Sequence, residues 1–189
     1  DSGVLVKLGG ARIETQISSQ FIAEASATLP VVFTSIKDDR YGAGGTFDTN
    51  KDGAATGGAP GQWGGLVFGA ASTGSLDHIR EFYAGGTTPI EGGFDNFNAV
   101  EIQQADVRIA NSLFQFNDAG GSATDRNGRG PNADATIFIR GAQPVIVNNI
   151  IRDNRSSMLS INANALQSTV QADYGRSTGR SEEHTSELQ

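Results

Sequence analysis

The chain has no cysteine, which excludes disulfide staples and thiolate-ligated zinc and leaves its redox compartment open. Basic residues are few: 14 Lys and Arg against 21 Asp and Glu give a formal charge of -7. No Lys/Arg cluster is present that would neutralise a row of phosphates, so nucleic-acid binding is excluded as an expectation. Long apolar runs are missing too, the longest being a handful of residues, far short of a membrane-spanning helix. No signal peptide is visible, but the chain opens at Asp1 without an initiator Met, in what reads as mid-strand. The missing leader is therefore uninformative.

Glycine is abundant, 25 of 189 residues. With Asn, Asp, Ser and Thr it separates short apolar runs, a composition that predicts many turns, many short strands and little helix. The last ten residues, Arg180-Ser-Glu-Glu-His-Thr-Ser-Glu-Leu-Gln189, are what AGATCGGAAGAGCACACGTCTGAACTCCAG encodes. That DNA resembles an adapter ligated to fragments for short-read sequencing, so 180–189 are expected to be non-native. Setting them aside removes one positive and three negative charges and leaves the remainder acidic, near -5. The expected organisation is one segment over 1–174 and a disordered tail over 175–189. The segment is read as an internal piece of a longer product, cut at both ends.

Two stretches read as one structural unit written twice: Val107-Arg-Ile-Ala-Asn-Ser-Leu-Phe-Gln-Phe-Asn117 and Pro144-Val-Ile-Val-Asn-Asn-Ile-Ile-Arg-Asp-Asn154. Ile109 matches Ile146, Asn111 matches Asn148, Leu113 and Phe114 match Ile150 and Ile151, and Asn117 matches Asn154. A weaker copy, Ser75-Leu-Asp-His-Ile-Arg-Glu-Phe-Tyr83, places Asp77 at the first asparagine position, Ile79 at the next apolar one and Tyr83 at the last. Such repetition predicts a solenoid of roughly five coils, each with two strands before a loop. Short strands are expected near Val4-Leu8, Ala11-Thr15, Gln20-Ala23, Leu29-Ile36, Gly65-Phe68 and Met158-Asn164. Insertions over 84–98 and 119–134 are expected to loop outward. Stacked asparagines would hydrogen-bond between coils, with Ile109/Ile146 and Leu113/Ile150 as inward apolar stacks. A β-sandwich, which also has many short strands, is the alternative.

Pro30-Val-Val-Phe-Thr-Ser-Ile-Lys-Asp-Asp39, Asp48-Thr-Asn-Lys-Asp-Gly53, Pro60-Gly-Gln-Trp-Gly-Gly-Leu-Val-Phe68 and Gly74-Ser-Leu-Asp-His-Ile79 occur in this order. They resemble right-handed parallel β-helix segments, of the pectin-lyase-like fold, in very large bacterial surface or secreted proteins. The resemblance covers about 1–165 and implies an all-β, right-handed parallel β-helix. It also implies an extracellular or cell-surface location and an adhesion or structural role. These phrases carry fold, not catalysis.

Asp48, Asn50 and Asp52 offer oxygens at positions one, three and five of a loop with Gly53 at six, half of a calcium loop. The twelfth position is Ala59 instead of glutamate, which excludes a complete EF-hand. A calcium clip, completed by Asp38, Asp39 or carbonyls, stands beside a plain Asp/Asn/Gly turn. For catalysis the available charges are Asp77, Arg80, Glu81, Asp106, Arg108, Arg140, Arg152 and Asp153. They are expected on the outward face of strands and match no lyase or hydrolase signature. His78 has no nucleophile motif beside it and reads as a turn residue. Trp63 suits packing at the end of a strand more than sugar stacking. The glycine-rich stretches lack a P-loop Lys-Ser pair, and Asn154-Arg-Ser156, a formal glycosylation sequon, has a structural reading in the ladder.

The function expected is a non-catalytic structural or adhesion segment presenting loops from a rigid rod. Its partners would be a cell-surface glycan or protein and the neighbouring coils of the parent chain. The alternatives are a polysaccharide lyase or glycoside hydrolase fragment and a calcium-dependent glycan-binding module.

Overall fold

The computed structural model describes residues 2–42, 47–121 and 126–162. The tail over 175–189, with its adapter-like end, lies outside them. The strands are β1 (Leu5–Leu8), β2 (Arg12–Thr15), β3 (Gln20–Glu24), β4 (Val31–Ser35), β5 (Gly65–Phe68) and β6 (Thr73–Asp77). They continue with β7 (Ile79–Phe82), β8 (Gly86–Ile90), β9 (Gly93–Phe97), β10 (Val100–Gln103), β11 (Asp106–Ala110) and β12 (Leu113–Gln115). Beyond a short 3-10 turn at Arg126–Gly128 come β13 (Ile137–Arg140), β14 (Val145–Val147), β15 (Ile150–Arg152) and β16 (Leu159–Asn162). The fold is all-β, as composition predicts.

All but β8 and β9 lie in three parallel sheets. Sheet I runs β1-β4-β7-β12-β15, sheet II β16-β13-β10-β5-β2 and sheet III β14-β11-β6-β3. The chain visits I, II and III in turn, and each circuit lays its strands beside those of the circuit before. Each full circuit holds three strands, not the two expected, because the asparagine turn between sheets III and I is flanked by strands on both sides.

Side-chain alternation explains the packing. Residues of one parity in each strand enter a shared apolar core: Phe33, Ile79 and Phe114 from sheet I, Leu66, Ile102 and Ile137 from sheet II, and Leu76, Val107 and Ile109 from sheet III. Phe21 lies 6.1 Å from Phe33 and 6.2 Å from Phe68, centroid to centroid, so the aromatic rings of all three sheets meet in that core. The other parity faces outward, as with Asp106 and Arg108 on β11.

The corners recur at the same offsets within each circuit. Ala71, Gln104 and Gly141 all have positive φ, as do His78, Asn111 and Asn148, and Tyr83, Phe116 and Asp153. Asparagine tolerates this left-handed geometry better than most residues, and here it also bridges circuits. Asn148 Nδ2 donates to Asn111 Oδ1 at 2.6 Å. Asn117 Oδ1 accepts from the Ala84 amide, and Asn154 Oδ1 from the Asn117 amide, both at 2.8 Å. Edge amides that a strand leaves unpaired at a corner are thus satisfied by the next circuit.

Two expectations about register change. The strong copies align as read, with Ile109 opposite Ile146 and Leu113 opposite Ile150. The weak copy slips by one, since Asp77 pairs with Ala110 and Arg80 with Leu113. Because side chains alternate, one residue of slip exchanges inside for outside. Ile109 and Ile146 do stack inward, but Leu113 packs on the outer face beside Phe82 and Tyr83, and Ile150 is 58% exposed. The inward partners at that level are Phe114 and Ile151.

The insertions also differ from open loops. Over 84–98 the chain folds into an antiparallel hairpin, β8 on β9, whose Ile90 and Phe97 pack on Val67 at the outer face of sheet II. Part of 119–134 follows it: Arg126 and Asn132 are buried there. The hairpin tip, with Phe94 at 74% exposure, stands clear. At the last described circuit Ile161, opposite the core residue Ile139, is 55% exposed, with no strand among the described residues lying over it.

Candidate functional site

The loop over 47–64 leaves sheet I after β4 and returns to sheet II at β5. Asp48 folds it into a tight turn, its Oδ1 accepting from the Asp52 amide at 3.2 Å and Oδ2 from the Gly53 amide at 2.8 Å. Asn50 Nδ2 donates to Asp52 Oδ2 at 2.8 Å and to Thr56 Oγ1 at 2.9 Å, and the Thr56 hydroxyl donates to Asp52 Oδ2. Lys7 Nζ anchors the loop to sheet I through the Phe47 carbonyl and Thr49 Oγ1, at 2.9 and 2.7 Å. Asn50 Oδ1 and Asp52 Oδ1 are enclosed and have no partner. The donor set, a carboxylate, an amide oxygen and a second carboxylate on alternate residues, fits a hard cation, although calcium takes about 6–8 oxygens. Asp38 does not supply one. Its carboxylate is bound by Arg40 Nε and Nη2 at 2.9 and 3.0 Å and by the Thr34 hydroxyl at 2.5 Å. Burial works to raise the Asp38 carboxyl, but these bonds outweigh it and hold its pKa below the ordinary value. Among the described residues no group of three or more His, Asp or Glu side chains is placed to hold a metal.

Trp63 is completely buried, its Nε1 donating to the Phe82 carbonyl at 2.8 Å. It packs, and is not available to a sugar. An aromatic cluster covers the outer face of sheet I: Tyr41 stacks on Phe82 at 5.7 Å and Tyr83 on Phe116 at 5.9 Å. The Arg40 guanidinium lies over both pairs, 4.6 Å from the Phe82 centroid and 5.1 Å from that of Tyr83. Gly58 closes over Tyr83, where a Cβ would fall 2.1 Å from the ring. Asp38, Arg40 and these rings therefore clamp the 47–64 loop onto sheet I, a role that the sequence pattern did not reveal.

His78 occupies a positive-φ corner, in keeping with its reading as a turn residue. Its Nδ1 lies 2.6 Å from Asp77 Oδ1. Asp77 also accepts from Arg108 Nη1 at 2.7 Å and Asn111 Nδ2 at 2.9 Å. Burial would raise the Asp77 carboxyl, yet the bonds from Asn111 and Arg108 bring it below the ordinary value. Asp77 is thus an ionised strut between circuits and is poorly suited to giving or taking a proton at neutral pH.

The remaining charges separate rather than converge. Arg152 and Asp153 form an exposed pair at 3.8 Å. Glu81, expected on an outward face, points inward. It sits in the column Val6, Phe33, Glu81, Phe114, Ile151, is completely buried, and neither carboxyl oxygen has a partner. Burial alone pushes its pKa well above the ordinary value. Glu101, on the outer face of sheet II, is also completely buried but is paired. Arg126 reaches it from the second insertion with two bonds of 2.8 Å. For Glu81 the signal in the sequence is its parity with Ile79, two residues earlier on β7 and inward. No local signal marks the Glu101–Arg126 pair, whose members are 25 residues apart.

Comparison with family models, with curated proteins and with solved structures finds no match to this chain.

Proposed function

We propose that the chain is a right-handed parallel β-helix segment of a large exported bacterial protein, acting as a rigid spacer or adhesion surface without catalysis. The observation that carries this reading is the cyclic visiting of three parallel sheets about one core, with corner residues that repeat in register. Parallel crossovers are overwhelmingly right-handed, and a stack of such circuits makes a stiff rod whose insertions form the contact surface. The fates of the candidate catalytic groups support the absence of chemistry. Glu81 is sealed in the core, Asp77 is tied into the ladder, and Arg152 and Asp153 form an exposed pair. Screening acidic and neutral glycans for release of unsaturated or reducing ends should yield nothing. Release of either by the purified chain would sink the non-catalytic reading in favour of a polysaccharide lyase or hydrolase.

One observation favours calcium binding as a second property. The enclosed oxygens of Asn50 and Asp52 have no protein partner, in a loop that Asp48 already curls. A cation held there would fasten the 47–64 loop. Calcium at millimolar concentration is expected to raise the melting temperature, and Asp52→Ala to remove the increase. An unchanged melting temperature would rule the clip out. Glycan arrays probed with and without chelator then distinguish a calcium-dependent glycan-binding module from a spacer.

A further inference from the structure

A second polar cavity, independent of the calcium loop, lies between the outer face of sheet II and the tips of the two insertions. Its volume is about 380 Å³, toward the small end of ligand pockets. Glu14 of β2, Gln103 of β10 and Arg140 of β13 form its floor, and Glu91 and Arg129 its rim. The carboxylates are committed: Glu14 takes Arg12 Nε at 2.9 Å and Arg129 Nε at 2.8 Å, and Glu91 takes Arg129 Nη1 at 3.0 Å. Arg140 has no carboxylate within ion-pair distance among the described residues. Its guanidinium lies close to Gly130, where a Cβ would fall 2.7 Å from Nη1, so the second insertion flanks this charge. Gln103 is 5% exposed, its Nε2 donates to Glu101 Oε2 at 3.3 Å, and its Oε1 has no partner.

We propose that this cavity binds a small hydroxycarboxylate, with the carboxylate on the Arg140 guanidinium and a hydroxyl donated to Gln103 Oε1. A guanidinium without an ion partner recognises a planar carboxylate through two parallel N–H bonds. With Glu14 and Glu91 offset by Arg12 and Arg129, one excess positive charge, that of Arg140, remains at the cavity, which matches a monovalent carboxylate better than phosphate or sulfate. A buried acceptor left unmade is costly, and a ligand hydroxyl satisfies Gln103 Oε1. Among the described residues no aromatic side chain lines the cavity, so none of them would stack a nucleobase or an aromatic acid. The proposal does not depend on the handedness of the stack or on its role as a spacer.

Titration calorimetry with gluconate tests it, with glucose supplying hydroxyls without the carboxylate, acetate the reverse, and sulfate a dianion. Gluconate should bind more tightly than all three. Arg140→Gln should weaken it by more than tenfold, and Gln103→Leu by about tenfold, the loss of one hydrogen bond to a buried acceptor. In the native protein, gluconate should shift the Gln103 side-chain amide resonances, a readout that needs no variant to fold. No gluconate binding at millimolar concentration, equal binding of sulfate or glucose, or unchanged affinity in Arg140→Gln would each overturn the assignment. An unmoved Gln103 resonance would do the same, showing that water alone fills the cavity.

Discussion

Glu81→Met will melt at a higher temperature than the parent chain, and the gap will widen as the pH rises. Glu81 is enclosed between Phe33 and Phe114 with no hydrogen-bond partner for either oxygen. Even as the neutral acid it costs about 1–3 kcal/mol for unpaired burial. Its folded pKa is raised well above the ordinary 4.5 by desolvation. Between the unfolded and folded pKa values the native state therefore holds one more proton than the unfolded chain. The contribution of Glu81 is full below pH 4.5 and falls by about 1.4 kcal/mol per pH unit as pH climbs toward the raised folded value. Methionine has a similar shape, fills the same column with an apolar chain and removes the titration. The expected gain corresponds to about 2–4 °C for each kcal/mol in a chain of this size. Glu81→Gln separates the two contributions: it should flatten the pH dependence while leaving a buried amide unpartnered. Thermal melts of the three proteins from pH 4 upward check this. A gap that stays constant with pH, or a less stable methionine variant, would show that the carboxyl has a partner or a path to water.

Arg126→Met should be as damaging as Glu81→Met is helpful. Arg126 and Glu101 have fully buried side chains, and Arg126 also donates to the Gly130 carbonyl at 3.0 Å and lies 5.1 Å from the Phe97 ring centroid. Around them, Asn132 Nδ2 bonds Asn98 Oδ1 at 2.8 Å and Glu101 Oε1 at 3.1 Å. Removing the guanidinium leaves the Glu101 carboxylate desolvated and uncompensated, at a cost of about 3–5 kcal/mol. The double variant Glu101→Gln/Arg126→Met should recover much of the loss, because no charge is then stranded. Urea unfolding of the four corners of this cycle measures the coupling. The second insertion should become protease-sensitive in the single variant first, since Arg126 fastens it to sheet II. A loss of under about 1 kcal/mol for Arg126→Met would mean that the pair is hydrated and does not hold the insertion.

These two glutamates show how far the sequence could be read. Both stand in short strands of alternating character, where alternation gives the face of each but not what covers it. Glu81 was expected outward because it is charged, whereas its parity with the core residue Ile79 turns it inward. Matching Asp77 to Asn111 looked natural, since both are polar corner residues and Asp77 does accept a bond from Asn111 Nδ2 at 2.9 Å. The backbone pairing instead sets Arg80 level with Leu113, and in a period-two structure that one-residue shift puts Ile79 inward while Leu113, matched to it in sequence, faces outward. Glu101 is outward by parity, as the pattern implies, and only the hairpin and the second insertion bury it. The Asp48, Asn50 and Asp52 loop was legible because its chemistry is contiguous, whereas the Arg40 clamp and the Gln103–Arg140 cavity draw on distant segments.

The sequence by itself determined the all-β class, the existence of repeated units, and the register of the two strong copies. Those properties are written in local alternation, in corner asparagines and in glycine-rich turns, which act over a few residues. Only the tertiary structure decided that each circuit has three strands, that the insertions fold back on sheet II, and that one glutamate is sealed in the core while another is paired. Burial and charge pairing depend on which circuit lies above which, and contacts between circuits are not encoded in any short window of the chain.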